Sequence, residues 1–328
     1  MKKIISCIVM TGLLVSLLIG CTHRENDKKD YGNKTITIAY QYGLAYAPVL
    51  IMKEKQIIEK KYKEQTGNTI NVNWTQINSG ADVNTGFAAG NIDVGFLGVA
   101  PAITGCLNQV GYKIFTGVSG QEHGMMTNQE DVTSLADLVG SNDQLALVNI
   151  GSIQHIILAL ALENQGYDPH ALDTNIVAMK HPDGMNALKT GNVPVQLTTN
   201  PYLYQEKKDS SLHEIEGITE VWTKDNSFVV GVLSTKIYEE NEELYRVITD
   251  AVEESISLIN NDVENAAGIT CELDGNTLDE EMEYMKMGIY KTQTNGIFEL
   301  AKFMKKAGFI EKEPAEFEEL VYKNVEGD

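Results

Sequence analysis

Arginine is nearly absent from this sequence. Only Arg24 and Arg246 occur among 328 residues, and the formal net charge is −20. Such an acidic chain is a poor partner for nucleic acid, because binding there depends on neutralising phosphates with lysine and arginine. The scarcity also argues against a bidentate arginine clamp. A bound anion would instead need backbone amides, hydroxyl groups, lysine or histidine.

Cysteine is also scarce. Of the four cysteines, Cys7 and Cys21 lie near the N-terminus, which leaves Cys106 and Cys271 in the body of the chain. Nothing in their spacing requires a disulfide, although pairing stays open. We expect two separate buried thiols, since cysteine is commonly buried as a small apolar residue.

Signatures of catalysis are missing as well. The sequence has no Gly-x-Ser-x-Gly turn, Walker loop, His-Glu-x-x-His or Cys-x-x-Cys motif. His123, His155 and His181 do not have the spacing of metal ligands, and whether any of them contacts a ligand is left open. We therefore expect a protein that is not an enzyme and that uses neither a metal nor a cofactor.

No hydrophobic run is long enough for a standard transmembrane helix. The longest apolar stretch, residues 4–19 after Lys2 and Lys3, is shorter than the roughly 20 residues that span a bilayer. It is typical of a secretory signal peptide, which we place at residues 1–20. The cysteine that follows, Cys21, is either a lipidation site or an unrelated residue after an ordinary cleaved signal.

The end of that stretch, Leu18-Ile19-Gly20-Cys21, resembles the lipobox of bacterial lipoproteins. The resemblance implies a diacylglycerol on Cys21 and an extracytoplasmic protein anchored to the cell membrane. Residues 21–33 are polar and suit a flexible tether.

Strand and helix patterns alternate along the remaining part of the chain. The first series predicts strands at 35–40, 69–74 and 92–97, a helix from Pro48 to Gly67 and a helix at 81–89. A second series predicts strands at 145–149, 175–179 and 193–197 with helices at 153–165 and 184–189. Further helices are predicted at 242–259, 279–290 and 295–307. Such alternation favours an α/β fold with mostly parallel sheets.

A short internal sequence repeat, the internal echo of the two series, suggests that the series are related. Phe87-Ala88-Ala89-Gly90-Asn91-Ile92-Asp93-Val94 is matched by Leu188-Lys189-Thr190-Gly191-Asn192-Val193-Pro194-Val195. Each copy places Gly-Asn between a helix and a strand. Coincidence between two glycine-containing turns is the alternative explanation.

Four motifs together carry a resemblance to a known family. They are Asn78-Ser79-Gly80, Gly90-Asn91-Ile92-Asp93-Val94-Gly95, Ser134-Leu135-Ala136-Asp137-Leu138-Val139-Gly140 and Ala187-Leu188-Lys189-Thr190-Gly191-Asn192-Val193. In this order they resemble the nitrate, sulfonate and taurine class of ABC-transporter solute-binding proteins. One departure is Pro194, which stands where the first copy has Asp93 and weakens any role for an acid there.

The resemblance implies a two-lobed periplasmic-binding-protein-like fold of type II, with the ligand cleft between α/β lobes. Residues 34–123 and 227–328 would form the first lobe and residues 124–226 the second. The two crossover strands would lie near residues 117–126 and 227–234. Whether the lobes are open or closed is left undecided.

The implied function is capture of a small solute for an ABC permease and its ATPase, by a protein expected to be a monomer. Nitrate, bicarbonate, an alkyl sulfonate, taurine and a thiamine-type pyrimidine all remain candidate solutes. Two alternatives are an enzyme of cofactor biosynthesis with the same fold, and a lipoprotein that senses a thiamine-type pyrimidine.

Candidate binding residues follow from where helices begin beyond the ends of strands. Ser152 begins a helix that has no acid in its first turn, which leaves room for an anion, whereas Asp82 completes a capping box with Ser79. Tyrosines near the first strand could form a wall or belong to the core. The candidates are Tyr42, Tyr46, Ser79, Gly80, Val99, Ala100, Ser119, Gly120, Gly151, Ser152, Gln154, Asn200 and Tyr202.

Overall fold

A computed structural model of the protein describes residues 34–328. The predicted signal peptide, the lipidation site Cys21 and the tether lie outside the described residues. The strands are β1 Lys34–Tyr40, β2 Ile70–Gln76, β3 Val94–Gly98, β4 Tyr112–Gly120, β5 His123–Thr127, β6 Leu145–Leu147, β7 Ile176–Ala178, β8 Val195–Thr199, β9 His213–Ile215, β10 Val229–Ser234 and β11 Ile289–Tyr290.

The helices connect these strands and cover the sheets. They are α1 Ala47–Lys55, α2 Ile57–Thr66, α3 Gly80–Ala88, α4 Val99–Leu107, α5 Leu135–Leu138, α6 Ile153–Asn164, α7 His181–Lys189, α8 Tyr202–Lys207, α9 Thr235–Glu240, α10 Glu242–Asn261, α11 Val263–Asp274, α12 Leu278–Met287 and α13 Ile297–Lys306. None of the helices within residues 34–328 has the length and apolar character needed to cross a membrane.

The strands form two sheets, as the predicted fold class requires. The six-stranded sheet has the order β11-β4-β10-β3-β1-β2, and the five-stranded sheet has the order β7-β6-β8-β5-β9. β1 runs parallel to β2 and β3, and β6 runs parallel to β7 and β8. The other pairs are antiparallel, so the expectation of mostly parallel sheets is wrong.

The two crossings between the sheets explain this mixed character. The chain leaves the six-stranded sheet after β4 and enters the five-stranded sheet at β5, within the predicted outward crossover. It returns as β10, which inserts antiparallel between β3 and β4. The six-stranded sheet draws on residues 34–120 and 229–290, and the five-stranded sheet on residues 123–215. The lobe boundaries themselves stay a prediction.

The internal echo corresponds to one repeated turn. The Gly90 amide donates to Phe87 and the Asn91 amide to Gly86, while the Gly191 amide donates to Leu188 and the Asn192 amide to Ala187. Both glycines have positive φ, 71° and 73°, as the residue that ends a helix commonly does. This shared geometry supports the interpretation of the halves as related structures.

Two predicted helices differ from the structure: one is divided into two helices and the other ends early. The helix predicted from Pro48 to Gly67 is broken at Gln56, whose φ of 52° is left-handed, so that α1 and α2 are separate. The helix predicted at 279–290 stops at Met287, because Ile289 and Tyr290 pair with β4 instead. Tyr290 is buried there, and its hydroxyl group donates to the carbonyl of Leu44.

Cys106 and Cys271 are both free thiols, as expected. Both residues are partly buried, less than expected, although burial raises the pKa of the Cys106 thiol. The Cys106 thiol donates to the carbonyl of Leu320 at 3.3 Å.

Candidate functional site

A small cavity lies between the two sheets. Its walls are Gln41, Tyr42, Tyr46, Asn78, Gly80, Gly98, Pro101, Val148, Ser152, Ile153, Gln154, Lys180, His181 and Phe228. The loops after β1, β2 and β3 supply one wall, the loops after β6 and β7 supply the opposite wall, and Phe228 belongs to the returning crossover. The cavity volume is about 20 Å³, which is room for one or two water-sized molecules.

Four helices, α3, α4, α6 and α7, begin at this cavity, and glycine allows the first three to come close together. A Cβ atom on Gly80, at the start of α3, would lie 2.4 Å from Cγ of Pro101 in α4. A Cβ atom on Gly98, before α4, would lie 3.1 Å from Cγ2 of Ile153 in α6. The first turns of α3, α4 and α6 therefore surround the same small space.

The N-terminus of α6 offers several hydrogen-bond donors to the cavity. The Ser152 hydroxyl group caps the helix by accepting from the His155 amide at 3.3 Å, and no acid lies in the first turn. The first amides of a helix have no partner within the helix. Gln154 adds a side-chain amide nitrogen that is buried without a hydrogen-bond partner. These groups could donate hydrogen bonds to an anion or a carbonyl.

Lys180 lies on the same wall of the cavity as the start of α6. It precedes α7, and its ammonium group lies 5.1 Å from the centre of the Tyr42 ring and 3.7 Å from a carboxylate oxygen of Asp183. Lys180 is the one residue with a permanent charge among those that line the cavity within residues 34–328. The ammonium group of Lys180 is therefore the one full charge in the cavity wall of the described chain, and Asp183 partly offsets it from outside the wall.

Two buried histidines lie beside the cavity and are neutral at physiological pH. His181 lines it, stacks on Tyr202 at 5.7 Å and shares a hydrogen bond with Thr198, and burial lowers its pKa to about 4. His123 packs edge-on against Phe228 at 4.6 Å, and burial, with His181 nearby, lowers its pKa to about 3. Neither ring nitrogen of His123 has a hydrogen-bond partner.

The part of the chain that the structure describes contains no group of three or more His, Cys, Asp or Glu residues arranged to hold a metal ion. His155 is instead hydrogen-bonded to Asp173 at 2.8 Å.

Five of the candidate residues line the cavity: Tyr42, Tyr46, Gly80, Ser152 and Gln154. The hydroxyl group of Tyr46 donates to Gln41 at 2.9 Å, and burial raises the pKa of Tyr46 far above its ordinary value. Gly151 and Tyr202 lie one step behind the wall. The Gly151 amide donates to His155, and the Tyr202 ring supports His181.

The other six candidates are outside the cavity wall. The hydroxyl group of Ser79 accepts from the Asp82 amide and donates to the Asp82 carboxylate, so Ser79 caps α3 without the reciprocal backbone bond of the predicted capping box. The hydroxyl group of Ser119 donates to the carbonyl of Ala45. The amide of Val99 donates to Phe228. Ala100 and Asn200 are fully buried, and Gly120 ends β4 with no space for a Cβ atom.

Several lining residues were not among the candidates. Asn78, Gly98 and Pro101 directly flank chosen residues, so a wider window around each helix start would have included them. Lys180 and His181 follow β7 as the Gly151 loop follows β6. Both strands were predicted, so the position of these two residues after a strand was a usable signal in the sequence. Gln41 sits between the end of β1 and Tyr42. Val148, Ile153 and Phe228 contribute apolar walls that carry no polar signal.

The family model that describes NMT1-like proteins matches residues 30–272. The chain belongs to the NMT1-like family. The match includes all four sequence motifs and every residue that lines the cavity. No curated protein matches the sequence.

Solved structures resemble the protein over most of its length. The alkanesulfonate-binding protein SsuA from Xanthomonas axonopodis pv. citri, bound to MOPS, has a TM-score of 0.72 at 12% identity, covering 89% of this chain and 99% of that one. SsuA from Escherichia coli gives 0.66 at 16% identity, with 89% and 93% covered. The nitrate-binding protein NrtA from Synechocystis PCC 6803 gives 0.69 at 13% identity, with 87% and 84% covered. The NMT1-like protein therefore has the periplasmic-binding-protein fold.

Proposed function

We propose that the protein captures a small anionic or polar solute in the cavity between its two sheets and passes it to an ABC permease. The observation that carries this proposal is the convergence of Lys180, the first backbone amides of α6 and the unpartnered side-chain amide of Gln154 on one cavity. The protein would act outside the cytoplasm, held near its permease by a lipid on Cys21. It would bind the solute without transforming it.

The charge around the cavity favours an anion over a cation. No carboxylate lies among the residues of the described chain that line the cavity, although the whole sequence is strongly acidic. Charge-assisted hydrogen bonds from an ammonium group and from helix amides are stronger than neutral ones. The unpartnered amide nitrogen of Gln154 supplies a further donor. A sulfonate, nitrate or bicarbonate offers the acceptor oxygens that these donors need.

The small volume of the cavity supports capture by closure. About 20 Å³ is too little to hold a sulfonate with the walls at their present separation. The walls belong to different sheets, and within residues 34–328 the chain crosses between those sheets twice, near residues 120–123 and 215–229. Solute exchange would therefore proceed by separation of the walls about these crossings.

The geometry gives little support to an enzyme. The hydroxyl group of Ser152 is engaged as a helix cap, and the nearest histidine on the same helix, His155, is turned toward Asp173. A nucleophile needs a general base within hydrogen-bonding reach. The two alkanesulfonate-binding proteins and the nitrate-binding protein with this fold are also binding proteins by name.

A thermal-shift screen tests the proposal. Methanesulfonate, taurine, nitrate, bicarbonate and a thiamine-type pyrimidine would each be added to the wild type, to Lys180→Met and to Lys236→Met, which changes an exposed lysine on α9. A ligand of the native state raises the melting temperature by mass action. We expect one anion to raise it in the wild type and in Lys236→Met, with affinity reduced at least about tenfold in Lys180→Met.

Two outcomes would contradict this assignment. If no member of the panel shifts the melting temperature, solute capture of this class loses its support. If the pyrimidine alone shifts it, equally in all three proteins, the anion site at Lys180 is wrong and the sensing alternative gains weight.

A further inference from the structure

A second polar cluster joins the two halves of the molecule behind the α6 wall of the cavity. Phe309, which follows α13, packs against the rings of His155 and His170 at 4.9 and 4.8 Å. Beside it, Lys306 at the end of α13 pairs with Glu163 of α6 at 2.8 Å. α13 packs on α4, which follows β3 of the six-stranded sheet, whereas α6 connects β6 and β7 of the five-stranded sheet. The cluster therefore fastens one half to the other.

His170 makes the central contact of this cluster. Its Nε2 lies 2.6 Å from the carbonyl oxygen of Ala307, and its Nδ1 lies 2.8 Å from Oδ2 of Asp173. A carbonyl and a carboxylate only accept hydrogen bonds, so both ring nitrogens must donate. Only the protonated imidazolium carries both protons. Neutral His170 would keep one of these bonds and lose the other.

The cluster continues from Asp173 to the cavity. Oδ1 of Asp173 lies 2.8 Å from Nε2 of His155, and Nδ1 of His155 accepts the Gly151 amide at 3.0 Å. Because Nδ1 accepts, the proton of His155 lies on Nε2 and points at Asp173. Gly151 immediately precedes Ser152, which lines the cavity. One hydrogen-bonded chain thus runs from Ala307 through two histidines to the loop that begins α6.

We propose that protonated His170 is a positioning residue for the solute cavity: it ties Ala307 to Asp173 and, through His155, holds the Gly151 loop in place, so that the loop loosens when His170 loses its proton. The proposal rests on the solute-binding function, because the loop it positions forms part of the proposed site. It adds a control of that site by pH.

The charges around His170 set the direction of this control. The carboxylates whose charge acts on His170 are Asp173 and Asp168, and neutral His155 lies on the other side of Asp173. On the packed helix α13, Lys306 pairs with Glu163 of α6, Lys302 pairs with Glu299, and the ammonium group of Lys305 donates to the carbonyl of Glu311. The hydrogen bond to Ala307, followed by that to Asp173, raises the pKa of His170 above its ordinary value of 6.5. Burial lowers the pKa of His155, in agreement with the neutral ring that its acceptance of the Gly151 amide requires.

The sign of the effect follows from these shifts. A histidine whose pKa is higher in the folded state contributes its full stabilisation below the unfolded value of 6.5 and loses it as pH rises through the folded value. The contact is therefore complete in mildly acidic solution and weakens as the solution becomes alkaline.

Nuclear magnetic resonance of the intact chain tests the inference without any solute. The amide shift of Gly151 and the ring shifts of His170 would be followed between about pH 5 and pH 9. We expect both to titrate with one midpoint above 6.5. In His170→Lys, which stays charged over this range, the Gly151 shift should be flat and near its acidic position. In His170→Gln it should be flat as well.

His213→Gln is the matched control, since His213 is a half-buried histidine elsewhere in the five-stranded sheet, bonded to Val132. It should leave the Gly151 titration unchanged. Asp173→Asn interrupts the same series of hydrogen bonds at a second residue. If His170→Gln does not fold, Asp173→Asn serves in its place and should abolish the pH dependence of the Gly151 shift. The inference is overturned if the Gly151 shift still titrates in His170→Gln, His170→Lys or Asp173→Asn. It is also overturned if the Gly151 shift stays flat in the wild type while His170 titrates. Failure of the anion screen would count against the proposed function and would leave this reading of Gly151 unaffected.

Discussion

Glu206 is a buried carboxyl group outside the cavity. It lies on α8, it is fully buried, and neither carboxyl oxygen has a hydrogen-bond partner. An isolated carboxylate is costly to bury, so the group stays protonated. Burial raises the pKa of Glu206 from 4.5 to about 8, although Lys189 opposes the shift.

This shift predicts a stability that falls with pH. The folded state holds the Glu206 proton more tightly than the unfolded state, so the free energy of unfolding decreases as pH rises from 4.5 to about 8. Urea unfolding at acidic and alkaline pH would measure the decrease. Glu206→Gln should remove a decrease on the order of a few kcal/mol, whereas the exposed Glu253→Gln should not. Equal pH dependence in the wild type and in Glu206→Gln would show that this carboxyl group is not the source.

Single residues also show which parts of the site the sequence could predict. Ser152 and Gln154 were found because a serine before an apolar helix without an acid is a local signal. Lys180 was not found, because its position beside the start of α6 depends on the pairing of β6 with β7, which brings the loops after these strands to the same edge of the sheet. Ser119 was placed beside the site by its position on the crossover, but its hydroxyl group turns to the Ala45 carbonyl instead.

At the scale of elements, the close approach of α3, α4 and α6 is what forms the cavity. Gly80 is the contact point between α3 and α4, because a side chain there would meet the Pro101 ring at 2.4 Å. The glycine in the middle of α11, Gly268, has open space around it. The two glycines therefore differ in the cost of an added methyl group.

Alanine substitutions at these glycines should have opposite effects. Gly80→Ala should lower the free energy of unfolding by roughly 1–3 kcal/mol through overpacking, and should displace the wall of the cavity. Gly268→Ala should raise it by about 0.5–1 kcal/mol, since alanine favours a helix more than glycine does. Denaturant unfolding of both variants measures this. A stabilised Gly80→Ala would mean that α3 and α4 are less closely packed than described.

Element types were predicted better than element ends. The helix at Glu242–Asn261 follows from periodicity, and the helix-to-strand turns at Gly90 and Gly191 follow from their glycines. The break between α1 and α2 occurs at Gln56, where no proline, glycine or asparagine indicates it in the sequence. The strand at Ile289–Tyr290 is decided by pairing with β4, which local sequence does not encode.

At the scale of the whole molecule, the family and the fold were recognisable from four short motifs in order, and the family match and the solved structures agree with them. The mixed sheets were not foreseen, because the position of β10 between β3 and β4 depends on the return of the chain from the other sheet. That return is also what places a cavity between the sheets.

The central claim is that this cavity holds an anion at the start of α6. Calorimetric titration of Gln154→Glu and the wild type with methanesulfonate, nitrate and bicarbonate tests it most directly. The variant keeps the size of the side chain and places a carboxylate where a helix N-terminus stabilises one. The account predicts that one anion binds the wild type with one-to-one stoichiometry and that the folded variant loses this binding. Equal binding by both proteins, or binding by neither, would contradict it.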